Sequence, residues 1–229
     1  VVSVTIDGKT YTGEVQNNVW SLVVPAADVA NFEEGLEGIT ADVSDVAGNA
    51  ATQATSSIEV DTAVLTHPTD DGNADITSDI TDATNSGLKT DTITNDNTPD
   101  ITGVTEAGAT VTITYTDATN TVRTATGTAD ANGVYTIAIT NALKDGANSL
   151  TVKAVDTAGN EATTTQDVTV DTSHPTISID ADLAGDDVIN ATEKGQALTI
   201  SGTTTNVENG QVVSVTIDGK TYTGEVQNN

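Results

Sequence analysis

Residues 212–229 repeat residues 1–18 letter for letter, VVSVTIDGKTYTGEVQNN. The offset is 212 − 1 = 211 positions, so the chain reads as a stretch of a tandem array that starts inside one repeat and runs into another. Units that recur in tandem are strung or stacked, each seeing mainly its neighbours. The question for such a chain is what an array does, before any question of a single pocket.

Composition narrows the answer. The 34 acidic residues against 7 basic ones give a formal charge of −27. Nucleic-acid binding needs Lys and Arg to displace counterions from phosphates, so it is excluded. Attraction to anionic lipid is disfavoured for the same reason. Carboxylate oxygens are what Ca²⁺ prefers as ligands, so hard cations fit. The length of 229 residues suits roughly one to two domains. Val, Ile and Thr alternate along the whole chain, which argues against disorder. With 1 Trp, 1 Phe and 4 Tyr, the cores must be built from small aliphatic side chains, and their stability is expected to be marginal. There is no cysteine, so metal ions are the available crosslinks. No apolar run approaches the ~20 residues of a membrane span, and direct membrane insertion is not expected.

Strand signals dominate the organisation. Val213, Val215 and Ile217 alternate with Ser214, Thr216 and Asp218 before the turn Gly219-Lys220. Asp7-Gly8, Asn132-Gly133 and Asp145-Gly146 mark further turns, at the ~8–12-residue spacing of a β-sandwich. Residues 25–34 and 141–144 are expected to form a helical turn each. The period divides into two related halves: 39–49 reads ITADVSDVAGN, 150–160 reads LTVKAVDTAGN, and each leads to Val-Asp-Thr, at 60–62 and 170–172. The fold class expected is all-β, tandem immunoglobulin-like sandwiches of Greek-key topology. Residues 1–61 are the C-terminal part of one repeat, 62–171 a complete repeat, and 172–229 the N-terminal part of the next. In the complete repeat, strands are expected near 63–66, then after a long acidic loop at 100–104, 110–116, 122–128, 134–140, 148–156 and 161–170. A loop of about 30 residues in a compact domain usually has a function.

Antiparallel strands reverse at each turn, so the order of a turn tells which end of the sandwich it occupies. By this parity Glu106, Asp130 to Asn132, and Asp156 with Asn160 share one pole with the linker residue Asp61. The acidic stretch 70–96 lies at the other pole beside Asp171. Asp45 and Asn49 occupy in the first repeat the places of Asp156 and Asn160. Each junction therefore gathers carboxylates from the linker, from the Asp-Xaa-Ala-Gly-Asn turn of the following repeat, and from the first loop of the preceding one. At the exit junction that loop supplies Asp91, Asn95 and Asp96. At the entry junction it supplies the equivalents of Asp180, Asp182, Asp186 and Asp187. Carboxylates this dense repel unless a cation sits among them. Ca²⁺, with 6–8 oxygens at about 2.3–2.6 Å, is the cation such donors suit. A solvated acidic surface with ordinary Asx turns is the alternative.

An EF-hand is not present: Asp70-Asp71-Gly72-Asn73-Ala74-Asp75 lacks the alternation and the distal Glu, although Asp70, Asp71 and Asp75 remain candidates for a site within the loop. His67 and His174 each precede a proline and are expected in exposed, extended backbone. No Ser/His/Asp set suggests itself, and acid pairs that recur with the repeat favour a structural role over a glycosidase-like one. Trp20 is expected as a core aromatic.

At Asp-Xaa-Ala-Gly-Asn, Val-Asp-Thr, Asn-Asp-Asn-Thr-Pro, Glu-Ala-Gly-Ala-Thr-Val and Gly-Lys-Thr-Tyr the chain resembles the bacterial immunoglobulin-like extender repeats of giant repeats-in-toxin adhesins. The resemblance covers essentially the whole chain. It implies a non-enzymatic, Ca²⁺-stiffened spacer, exported by type I secretion to the surface of a Gram-negative cell. There it projects a ligand-binding tip for adhesion or biofilm formation. The alternative is a carbohydrate-, protein- or ice-binding module within such an adhesin. Outward Thr rows such as 163–165 prompt the ice reading, though no flat aligned array is evident in the sequence. The expected partners are neighbouring repeats of the same chain. Because 1–61 and 172–229 are complementary parts of a repeat, head-to-tail complementation between molecules is also expected.

Overall fold

The computed structural model describes residues 1–62 and 76–228. Its elements are almost all strands. The first sixty residues hold β1 (Val2–Ile6), β2 (Lys9–Gly13), the short pair β3 (Val15–Gln16) and β4 (Val19–Trp20), one helical turn α1 (Ala26–Val29), β5 (Gly35–Val43) and β6 (Ala54–Val60). Then follow β7 (Asp79–Ile80), β8 (Ile93–Thr94), β9 (Asp100–Val104), β10 (Thr110–Thr116), β11 (Val122–Thr128), β12 (Val134–Ala138), β13 (Gly146–Val155) and β14 (Glu161–Val170). Beyond them lie β15 (Thr176–Ile177), the 3₁₀ turn Leu183–Gly185, β16 (Thr204–Thr205), β17 (Val212–Ile217) and β18 (Lys220–Glu225).

The central part is a two-sheet Greek key. One sheet runs β11-β10-β13-β14-β8 and the other β12-β9-β7, so the chain changes sheets between β9 and β10, β11 and β12, and β12 and β13. Period-two alternation drives the pairing. Val111, Ile113 and Tyr115 of β10 are buried while Thr110 to Thr116 face outward at even positions, and Leu150, Val152 and Ala154 of β13 repeat the pattern. These meet Ile101, Tyr135 and Ile137 from the opposite sheet in one continuous core. Each aliphatic side chain fully buried there contributes roughly 1.5–3 kcal/mol, which is how a core almost without aromatic residues suffices. The arrangement is the immunoglobulin-like sandwich expected.

Three details depart from the sequence reading. The acidic segment before Pro99 is not all loop: β7 pairs antiparallel with β9, and β8 pairs parallel with β14. The first strand is thus split between the two sheets. Each piece is two residues long, too short for a periodicity to announce it. The strand expected near 63–66 lies outside the described residues. The turn at 141–144 is not helical, and α1 is the only helical turn found of the two expected. Trp20 is not a core residue: it sits in the two-residue strand β4 and is 45% exposed.

Where β7 approaches β9 the backbones come very close. A Cβ on Gly103 would meet the Thr77 carbonyl oxygen at 1.9 Å and the Tyr135 hydroxyl at 2.6 Å. That hydroxyl donates to the same Thr77 oxygen at 2.6 Å, and burial pushes its pKa well above the usual tyrosine value. Gly103 therefore lets the split first strand close over Tyr135. Gly103→Ala is expected to destabilise the central domain by about 1–3 kcal/mol, the usual cost of overpacking. Chemical denaturation, with m unchanged, checks it.

Candidate metal centre

The hairpin turns are closed by aspartates placed at strand ends. Asp156 follows β13; its Oδ1 accepts the amides of Gly159 at 2.6 Å and Asn160 at 2.8 Å, and its Oδ2 accepts Asn160 Nδ2 at 2.8 Å. Asp45 does the same in the first repeat, accepting the amides of Ala47 and Asn49 and the Asn49 side chain at 2.8–2.9 Å. Burial pushes the Asp156 carboxyl up, but the donors from Asn160 and Gly159 outweigh it and hold the group below its ordinary value. The Asn49 side chain and amide hold Asp45 low in the same way.

The turn after β9 lies beside the turn after β11: the Thr105 amide donates to the Gly133 carbonyl at 2.8 Å, and that of Gly108 to Ala129 at 3.1 Å. Glu106 is thereby carried to the pole occupied by Asp156. Asp61, just past β6, arrives at the same place. Ligand oxygens of Asp61, Glu106 and Asp156 all lie within 4.8 Å of one another, and Asp156 is buried. No other such trio of acidic or His groups occurs among the described residues.

The arrangement fits a hard cation. Oxygens bound on opposite sides of one Ca²⁺ stand about 5 Å apart, twice the ~2.3–2.6 Å bond, so the observed separation is of the right size. The donors are all carboxylates. Asn160 Nδ2 lies 3.3 Å from Asp61 Oδ1 while donating to Asp156, so an N–H dipole faces the spot where the negative charges meet. Thr105, next to Glu106, also has a fully buried hydroxyl with no partner.

The other predicted residues are held differently. At the exit pole the Asp171 amide donates to the Thr94 carbonyl at 2.9 Å and its carboxylate accepts the Ser173 amide. Asp91 accepts the Ile93 amide, the Asn95 amide donates to Ser86 Oγ, and Asp96 accepts both donors of Thr98. These groups share a pole with Asp171 without forming an acidic trio. Asp180 accepts Ser201 Oγ, Asp186 the Val188 amide and Asp187 the Leu183 amide, while Asp182 has left-handed backbone. Asp70, Asp71, Asp75 and His67 lie outside the described residues, and His174 is exposed.

A clamp outside the predicted residues holds each Val-Asp-Thr segment. Asp145 accepts the amide and hydroxyl of Thr172 at 2.8–3.1 Å. Glu34 accepts the amide of Thr62 at 3.1 Å and also its hydroxyl. In both repeats the acid precedes a glycine of positive φ that starts a long strand, Gly35 or Gly146. The recurrent acid-Gly pair ahead of Val-Asp-Thr was the available signal.

Residues 73–172 match the family of the bacterial Ig-like domain. That match covers 100 of the 229 residues, from 73 to 172 inclusive. No curated protein matches the chain. Among solved structures, one is a tetra-tandem repeat in the extending region of a large adhesion protein, 22% identical over 98% of this chain and 54% of that one, TM-score 0.40. A second is a Ca²⁺-stabilized adhesin that helps an Antarctic bacterium bind ice, at 28% identity, 98% and 54% coverage and TM-score 0.34. A third concerns the host cell-surface retention of a 1.5-MDa bacterial ice-binding adhesin, at 28% identity, 98% and 71% coverage and TM-score 0.41. The chain spans about half the length of the first two. In the Ig-like domain itself, Asp156 closes a turn and contributes to the acidic trio at once. In chelator, Asp156→Ala is therefore expected to cost about 1–3 kcal/mol, because the Gly159 and Asn160 amides lose a charged acceptor. A folded pKa held low gives stability that is complete above the unfolded value of 3.8 and is lost as pH falls through the folded one. Thermal melts from pH 6 downward should show that loss below roughly pH 4, and Asp156→Ala should flatten it.

Proposed function

We propose that the chain is a run of spacer repeats from a bacterial cell-surface adhesin, divided at Asp61 and Asp171 and stiffened by Ca²⁺ at the linkers. The carrying observation is the trio itself: Asp61 belongs to the linker, Glu106 and Asp156 to the Ig-like domain after it. A cation bound by all three ties the linker to the pole of the next repeat and removes a hinge. It also offsets repulsion in a chain of net charge −27. Asp61, Glu106 and Asp156 are the principal ligands, with Asn160 able to turn its amide oxygen inward. Asp171, with Asp91, Asn95 and Asp96 at the same pole, and Asp45 with Asn49 in the first repeat, are the corresponding groups of the other junctions.

The adhesin reading rests on the order and spacing of the repeat motifs and on the family match. The role is mechanical, without catalysis; location is extracellular, reached by type I secretion from a Gram-negative cell, with a ligand-binding tip carried elsewhere in the protein. Millimolar external Ca²⁺ suits sites of extracellular affinity.

A second reading draws on the outer face of the five-stranded sheet. Its register lines up Thr124, Thr114, Thr151 and Thr165 across four strands, with Thr126, Thr112, Lys153 and Thr163 in the next row. This is a more regular array than the sequence suggested, and it favours a binding face for ice or a glycan. Sheet twist of about 20–25° per strand turns such a row by about 60–75° over its length, which spoils a flat template. Thr is also simply the polar residue that strands favour. The spacer reading is therefore preferred, and ice shaping by this chain, abolished by Thr151→Lys, is the result that reverses the order.

Calorimetric titration is expected to show Ca²⁺ binding, and Glu106→Gln to weaken it at least about ten-fold, as even residues that merely support a metal ligand do. At 100 times the dissociation constant, Ca²⁺ adds about 2.7 kcal/mol, seen as a melting point several degrees higher than in chelator. Scattering should give a longer maximum dimension with Ca²⁺. Equal dimensions and equal melting points in the two conditions eliminate the stiffening role.

A further inference from the structure

One long edge of the central sandwich is open. β11 lies outermost in the order β11-β10-β13-β14-β8, and among the described residues it pairs only with β10. Backbone bonds just beyond its two ends show which of its groups are used. The Asp117 amide donates to the Thr121 carbonyl at 2.9 Å, and the Ala129 amide to the Ala109 carbonyl at 3.0 Å. Bonded and unbonded positions alternate along an antiparallel ladder, so the odd residues of β11 turn their amides and carbonyls toward β10. Val122, Thr124, Thr126 and Thr128 turn theirs to the free edge.

The same edge recurs in the sequence. Arg123-Thr124-Ala125-Thr126-Gly127 corresponds to Lys9-Thr10-Tyr11-Thr12-Gly13 in β2 and to Lys220-Thr221-Tyr222-Thr223-Gly224 in β18. Register agrees with the match: Arg123 stands opposite Tyr115, Lys9 opposite Ile6, and each of these partners ends an apolar alternation. Lys9, Arg123 and Lys220 are three of only 7 basic residues, and none of the 34 acidic residues lies inside the motif. In a chain of net charge −27, these edges are where two copies can approach without carboxylate meeting carboxylate. Natural edges are often guarded by Pro, a bulge or an inward charge. Here the basic residue is drawn back by an acid of its own repeat, Asp117 for Arg123 and Asp28 for Lys9, each at 2.8 Å.

We propose that β11 is a lateral contact site, and that its occupant is β11 of a second copy, paired antiparallel about Ala125. In that register the free positions meet one another, Val122 with Thr128 and Thr124 with Thr126, and their outward amides and carbonyls find partners. Arg123 stands opposite Gly127, where a Cβ would already meet Ile137 Cγ1 of its own domain at 2.8 Å. No like charges face each other, and the threonines form β-branched cross-strand pairs. One patch is used twice, so the contact closes as a two-fold pair. Antiparallel pairing sets arrays that carry these domains running in opposite directions, as arrays from facing surfaces would. That consequence rests on the spacer reading; the pairing itself does not. A single short edge binds weakly, whereas edges repeated along an array engage together.

Ala125 supplies the test, because it stands opposite its own copy in a non-hydrogen-bonded pair. Cα atoms of such a pair are about 4.5 Å apart, within disulfide range. The chain has no cysteine to interfere. Oxidised Ala125→Cys is expected to give a reducible dimer of twice 23.2 kDa. Thr151→Cys, exposed on the central strand β13 of the same sheet, is expected to give none. Thr126→Pro, added to Ala125→Cys, removes an amide that faces the free edge and none that β10 uses. The dimer yield should then fall at least about ten-fold while the domain keeps its melting transition. Thr124→Lys with Thr126→Lys leaves every amide in place, sets like charges opposite each other, and should lower the yield too. Run in chelator, these measurements are independent of the Ca²⁺ site. Equal dimer from Ala125→Cys and Thr151→Cys overturns the proposal, as does a yield that the lysine pair leaves unchanged.

Discussion

The interaction on which most of this structure turns is an aspartate at a strand end accepting the amides of the turn that follows. Asp45, Asp117, Asp130 and Asp156 each do so, reaching amides two to four residues on. Asp117 adds an ion pair from Arg123, and its carboxyl is held far below the usual value, first by the Thr119 hydroxyl and then by Arg123. A short acceptor that bonds its own backbone is what makes a tight turn affordable in a chain without disulfides.

The same device creates the electrostatic problem at the poles. Every turn closed by a carboxylate brings a negative charge to one end of the sandwich, and antiparallel topology stacks alternate turns together. Two turns and a linker then meet within 4.8 Å at Asp61, Glu106 and Asp156. Asp156 closes a turn and belongs to the acidic trio at once, so one carboxylate serves both. The two Val-Asp-Thr segments are also tied by their threonines, Thr62 to Glu34 and Thr172 to Asp145.

The long strands were legible because burial on one face writes a period of two into the chain, as at Val111-Ile113-Tyr115 and Leu150-Val152-Ala154. The pole shared by Glu106 and Asp156 was legible too, since strand parity requires only a correct count. The split first strand was not. Two-residue ladders at β7 and β8 have no periodicity, and their pairing is set by distant partners, β9 and β14. Trp20 misled because aromatic size suggests a core, whereas β3–β4 leaves it at the surface. Asp145 and Glu34 went unnoticed because their partners are 27 and 28 residues away.

Local chemistry and counting were thus enough to establish an all-β repeat with acidic turns, because alternation and Asx closure act over a few residues. Tertiary structure alone decided which carboxylates meet and which stay apart. Asp61, Glu106 and Asp156 are 45 and 50 positions from one another along the chain and converge only when the sandwich closes. The repeated eighteen residues make the point most directly. The same letters bury Ile6 and expose Ile217, because burial belongs to the surface that arrives opposite a strand, not to the strand itself.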